Sequence, residues 1–146
     1  MEKKYILTDE TIEYLGHTLH RIQAVKDFGT ISAGTFGGYV EIETNLDHTG
    51  DAWVSGDAKV SGAARVSGDA NVSGDADYTT VHGFGRHFRT TTFFRCNNGV
   101  VRCQCGCFYG SIEEFRAKVR ETHGNSKYAK EYLMIADLME LHFKED

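Results

Sequence analysis

Between Trp53 and Tyr78 the apolar positions follow a single short period. Val54, Val60, Val66 and Val72 stand six residues apart, and Tyr78 takes the next place. Ala58, Ala64, Ala70 and Ala76 fall four after each valine, and Gly56, Gly62, Gly68 and Gly74 two after it. A period of six suits neither an amphipathic helix nor the two-residue alternation of a plain hairpin. It suits a solenoid in which each hexad is one short strand and a turn. Valine then points inward, alanine fills a tight corner, and Gly-Asp makes the turn, with Ala63 replacing Asp once.

The flanks carry other patterns. Tyr5 and Leu7 alternate, Leu19, Ile22 and Val25 follow less regularly, and Leu15-Gly16-His17 lies between them; this predicts a β-hairpin. Residues 29–50 are rich in Gly and Thr, with Tyr39-Val40-Glu41-Ile42 as a short strand and Val40, Leu46 and Ala52 again six apart. Past Thr79, the run TTTFFRCNNGVVRCQC has two β-rich halves around Asn98-Gly99, a strong hairpin signal. A two-residue turn there sets Cys96 opposite Val101, Phe94 opposite Cys103 and Thr92 opposite Cys105, all on one face. Arg95 then opposes Arg102 on the other face, a repulsion that calls for a nearby anion.

Ser111 and Glu114 form a capping box for a helix running to about Thr122 and stopped by His123-Gly124. A second helix is predicted from Ser126 to about Phe143, with Tyr128, Tyr132, Ile135, Met139 and His142 as its stripe. Met134, Leu138 and Leu141 widen its apolar surface, so a second contact, with another subunit, is expected.

The phrase Val-Ser-Gly-Asp-Ala-Lys at 54–59 resembles the hexapeptide-repeat, left-handed parallel β-helix family. The expected fold is therefore mainly β with C-terminal α. A hairpin cap (1–28) precedes a short left-handed parallel β-helix (29–78), which is followed by a β-hairpin plus two helices (79–146). In that family three hexads make one triangular coil, so four give a stub that must be capped or must oligomerise. A homo-oligomer, with a trimer favoured, follows from the resemblance. The lead-in LHRIQAVKDFG…GGYVE…NLDHTG…WV resembles a group of small phage and prophage proteins. The ending CGCFYGSIEEFRAKVRETHGNSKYAKEYL resembles a domain that recurs in phage-encoded proteins. These likenesses bring no assigned activity; they imply a phage accessory gene acting in the host bacterial cytoplasm, on the host or its defences.

Composition adds limits. With 146 residues, 40% hydrophobic and 25% charged, the chain reads as one globular domain or two small ones sharing a core. No run approaches the ~18 apolar residues of a membrane span, and no secretory signal is expected in the acidic start, so no membrane partner is expected. The four cysteines crowd into residues 96–107, unlike a dispersed disulfide scaffold, which fits a reducing compartment. The net charge of −5 is uneven: residues 78–112 hold no Asp or Glu but contain Arg86, Arg89, Arg95 and Arg102. Such segregation marks a face for an anionic partner, unless carboxylates folded over from elsewhere pair with these arginines.

Three candidate chemistries follow. Gly83-Phe84-Gly85-Arg86-His87-Phe88-Arg89 alternates aromatics with bases beside glycines, a pattern that stacks a base and holds a phosphate. Phe84, Arg86, His87, Phe88, Arg89, Arg95 and Arg102 are thus the candidate ligand-binding residues, and the amino end of the Ser111 helix offers a further anion seat. Cys96, Cys103, Cys105 and Cys107 form a secondary metal reading. Strand neighbours about 6.6 Å apart fit tetrahedral ligation poorly, so buried apolar cysteines are preferred and no cofactor is expected. His48 is a catalytic candidate only through the acyltransferases of the resembled family, which use a histidine as general base. The leading expectation is a non-enzymatic, oligomeric binding protein for a nucleotide, nucleic acid or host defence protein. A hexapeptide acyltransferase and a purely structural module are the alternatives.

Overall fold

The computed structural model describes residues 2–144; Met1 and residues 145–146, the outer ends of the first and third expected segments, lie outside it. Strands β1 (Tyr5–Tyr14) and β2 (His17–Ala24) form the expected antiparallel hairpin. Leu15 (φ 50°) and Gly16 (φ 83°) make its two-residue turn, where paired positive φ values match the strand twist. Tyr5, Leu19 and Ile22 are fully buried, whereas Val25 is exposed.

Strand β3 (Phe36–Val40) adds antiparallel to β2. It begins earlier than Tyr39 and ends before Glu41, a correction to the expected strand. Its two glycines explain the shift. A Cβ on Gly37 would come 2.5 Å from the Val54 carbonyl oxygen, and one on Gly38 2.5 Å from that of Ala58. Only bare backbone lets this strand lie on the repeat. Asn45, in a one-turn 3-10 helix (Glu43–Asn45), then accepts the Glu41 and Ile42 amides on Oδ1 and turns the chain away.

The repeat contributes β4 (Trp53–Val54), β5 (Lys59–Val60) and β6 (Asn71–Val72). Val54, Val60, Val66 and Val72 are fully buried, and Ala58, Ala64 and Ala70 nearly so. Each such valine contributes roughly 1.5–3 kcal/mol by leaving water. Gly56, Gly62 and Gly68 all adopt positive φ, as the turn requires.

The expected short left-handed parallel β-helix is nevertheless not formed. Parallel pairing stops at one layer: Tyr39 and Val40 with Lys59 and Val60, Trp53 and Val54 with Asn71 and Val72, and a lone Leu46–Val66 bridge. None of the repeat strands has a strand partner on each side. The fourth hexad departs: Gly74 is extended, Ala76 is exposed, and a one-turn 3-10 helix (Asp75–Asp77) leads into the next strand. So few hexads cannot stack a solenoid core. Antiparallel structure closes the layer instead: β3 pairs with β2, and the Arg65 amide and Ser67 hydroxyl donate to Thr92 Oγ1 and Gln104 Oε1 of the following sheet.

That sheet has four antiparallel strands, β7 (Tyr78–Phe84), β8 (Arg89–Arg95), β9 (Val101–Cys105) and β10 (Phe108–Ser111), in the order β10-β9-β8-β7. A single hairpin was expected. Its register is also one residue off the expected one. Cys96 N–H bonds to the Val100 carbonyl, leaving Asn97-Asn98-Gly99 as a three-residue loop with Gly99 at φ 80°. Phe93 consequently faces Cys103, Phe94 faces Arg102, and Arg95 faces Val101. A one-residue slip exchanges faces, so Arg95 and Arg102 never oppose each other and Cys96 and Cys103 enter different cores.

Helices α1 (Ile112–His123) and α2 (Lys127–Phe143) start at Ser111 and Ser126, each accepting a backbone amide, with the reciprocal Ser111–Glu114 box formed. They pack on the sheet face that carries Phe93 and Cys103, while the other face, with Phe94 and Cys96, packs on the repeat. Arg116, buried between the helices, pairs with Glu113 and Glu140 and, at 2.7 Å, with Asp137. On α2, Tyr132, Ile135 and Met139 are buried as the stripe requires, but His142 is exposed and Phe143 replaces it. Met134, Leu138 and Leu141 are exposed.

Candidate anion-binding site

Strand β7 ends at Phe84 and β8 begins at Arg89, so Gly85-Arg86-His87-Phe88 is a hairpin turn. The β9–β10 turn, centred on Gly106, lies beside it, and the C-terminal half of α1 closes the third side. Between them is a cavity of about 450 Å³. Arg86, His87, Arg89, Lys118 and His123 reach it, over an apolar wall of Phe108, Phe115 and Val119. Among the described residues, no Asp or Glu lines it.

Two glycines set this geometry. Gly85, at φ 79°, leaves room for Tyr132, whose hydroxyl would lie 2.2 Å from a Cβ there. That hydroxyl donates to the Phe84 carbonyl at 3.1 Å and so ties the turn to α2. Burial, together with nearby Cys105, pushes the Tyr132 hydroxyl up to about 12 against the Arg89 charge, which keeps it a donor. Gly106, at φ 57°, leaves room for Arg89: a Cβ would stand 2.0 Å from Nη1. Its carbonyl is held from the other side by Gln104 Nε2 at 2.7 Å and Arg65 Nη1 at 3.3 Å.

The cations are weakly committed. Among the described residues no carboxylate pairs with Arg86 or Arg89, and Lys118 meets only Glu121 at 3.8 Å. Arg86 lies over the Tyr128 ring at 5.8 Å, and His123 stacks on Tyr132 at 5.9 Å. Phe88 is exposed at the turn tip with φ 52°, a conformation that is costly for a bulky residue.

The structure divides the expected ligand residues. Arg86, His87 and Arg89 line the cavity; Phe84, at the end of β7, and Phe88, within the turn, do not. Arg95 is engaged by Asp77 at 3.3 Å, the Phe143 carbonyl at 3.0 Å and the Phe143 ring. Arg102 pairs with Asp69 at 3.3 Å, which also accepts the Tyr109 hydroxyl. The helix start at Ser111 is filled by its own capping box. Lys118, Thr122 and His123 were not legible as site residues, because their role depends on how α1 lies across the sheet.

The cysteines do not converge. Cys96 and Cys103 are buried on opposite sheet faces, Cys105 is half-buried and Cys107 exposed. Among the described residues no three His, Cys, Asp or Glu side chains are placed to hold a metal ion. His48 stacks on Tyr5 with centroids 4.2 Å apart, and its Nδ1 accepts the Lys4 amide at 3.2 Å. The proton of the neutral ring is therefore on Nε2, which points toward Glu43 Oε2 at 3.7 Å without a hydrogen bond. Burial lowers the His48 pKa. Held this way, Nε2 is a donor and not a base.

No family model matches the chain, and no curated protein matches it either.

Proposed function

We propose that this protein is a non-enzymatic binding protein whose ligand is a small anion of nucleotide size. The observation that carries the reading is the cavity itself: Arg86, Arg89, Lys118, His87 and His123 converge with no carboxylate among the described residues that line it. Its volume of about 450 Å³ suits a mononucleotide-sized ligand. The guanidinium pair would take phosphate oxygens, and the aromatic wall of Phe108 and Phe115 would take a flat ring. An acyltransferase finds no support at His48, whose free nitrogen carries a proton. No helix of the described residues is long and apolar enough to cross a membrane.

With the sequence likeness to phage-encoded proteins in its support, we further propose that the protein acts in a host bacterial cytoplasm, where sequestering a nucleotide signal counters a host defence. The exposed Met134, Leu138 and Leu141 of α2 support self-association as part of the same reading.

Calorimetric titration with a panel of mononucleotides and inorganic phosphate tests the proposal. Binding on the order of micromolar that weakens with salt and drops at least tenfold in Arg89→Ala is expected. Absence of heat from every nucleotide at low salt, at millimolar concentration, would overturn it.

A further inference from the structure

We propose that the Cys105-Gly106-Cys107 turn is a thiol-modification site, where Cys107 exchanges with small anionic disulfides drawn into the cavity. The inference rests on the cationic reading of that cavity and adds a chemistry to it.

The four thiols fall into two classes. Cys96 and Cys103 are buried, and burial pushes both thiols up, that of Cys96 to about 11, which leaves them unreactive. Cys107 is exposed and Cys105 half-buried, and both open into the 450 Å³ cavity. Thr91 Oγ1 donates to Cys105 Sγ at 3.2 Å, which holds that sulfur in place and leaves Cys107 as the accessible partner. The residue between them is Gly106, and the Arg89 guanidinium lies directly against its Cα. A positive charge thus stands at the turn that carries both sulfurs, with Arg86, His87 and Lys118 on the same cavity.

A disulfide bearing carboxylates or phosphates is concentrated there by charge, so its S–S bond spends longer beside Cys107. The Cys107 thiol gives its proton to solvent and its sulfur attacks one sulfur of R–S–S–R. A Cys107–S–S–R bond forms, the S–S bond of the reagent breaks, and the other half leaves as R–S⁻ and takes up a proton. No further oxidant is needed. The adduct occupies the cavity, so modification and nucleotide binding exclude one another.

The test compares two reagents on the full chain: the dianionic 5,5′-dithiobis(2-nitrobenzoate) and the neutral 4,4′-dipyridyl disulfide. Each rate is divided by that for glutathione under the same conditions, and the labelled cysteine is located by peptide mass spectrometry. The first adduct is expected on Cys107 and is lost in Cys107→Ser. The dianion should show an advantage of about tenfold over the neutral reagent at low salt, falling severalfold in 1 M NaCl and in Arg89→Ala. Fast labelling of Cys107 by both reagents with no advantage for the dianion overturns the proposal together with the cationic reading. Failure of either reagent to label Cys107 ahead of Cys96 and Cys103, while nucleotides still bind, overturns the thiol site alone.

Discussion

Phe93 and Phe94 are adjacent in β8 and both fully buried, yet their rings belong to different cores. Phe93 meets Phe115 of α1 edge-on at 5.8 Å, and Phe94 stacks on Tyr109 at 6.2 Å on the face that packs against the repeat. Strand β8 is therefore the wall between the repeat layer and the helical layer that forms the cavity. Each Phe→Ala substitution should cost about 3–5 kcal/mol in denaturant unfolding. Only Phe93→Ala should also weaken nucleotide binding at temperatures where the variant stays folded, because it removes support from Phe115 in the cavity wall.

Gly106→Ala should act on the site beyond its effect on the backbone. A methyl there collides with Arg89 Nη1, and φ 57° disfavours any L side chain. Gly99→Ala is the matched control: it shares a positive φ of 80° but has nothing within 4 Å of the added Cβ. Both variants should lose stability on the order of 1 kcal/mol. Calorimetry should find reduced ligand affinity for Gly106→Ala alone.

Arg95 and Arg102 separate the cavity from the general charge of the segment. Arg95 and Arg102 are held by Asp77 and Asp69, whereas no carboxylate among the described residues pairs with Arg86 or Arg89. Binding isotherms should therefore weaken at least tenfold for Arg86→Ala or Arg89→Ala. Arg102→Ala should leave affinity within about twofold and show its effect in thermal unfolding instead, through the uncovered Asp69.

The fold's pH dependence should have two windows of the same sign. Burial lowers the His48 pKa below its unfolded 6.5, so its contribution is present above pH 6.5 and lost as pH falls through the folded value. Lys4 is fully buried with its ammonium on the Gly50 and Ala52 carbonyls, and burial, against the pull of Asp47 and Asp51, brings it down to about 8. Its contribution is complete above pH 10.5 and lost as pH falls through about 8. The difference in unfolding free energy between wild type and Lys4→Met, measured in urea, should thus rise from pH 8 to 10.5, since the opposite effect of the buried Cys96 and Cys103 thiols is common to both proteins and cancels. His48→Asn, which keeps an acceptor for the Lys4 amide, should flatten the slope just below pH 6.5.

Much of the local structure was legible in the sequence, and the failures share a cause. The six-residue period marked the buried valines correctly because burial is set by the local strand and turn. Whether coils stack depends on what covers them, and here β3, β8 and β9 do. At the Asn97-Asn98-Gly99 loop, a two-residue and a three-residue turn both want glycine in the left-handed region. Alternation normally settles the register, but β8 is buried on both faces, so Phe93 and Phe94 gave no such signal. The charge-segregated turn at Arg86–Arg89 was readable. Its partners Lys118 and His123 were not, since only the packing of α1 across the sheet brings them there.

The most direct measurement is a two-dimensional amide NMR titration with a mononucleotide at low salt. Saturable shifts should cluster at Gly85–Arg89, Cys105–Phe108 and Lys118–His123, and leave Lys4, Asn45–His48 and Asp69 unmoved. Shifts absent from those three segments, or centred on Arg95, Arg102 or His48, would contradict a ligand held in this cavity.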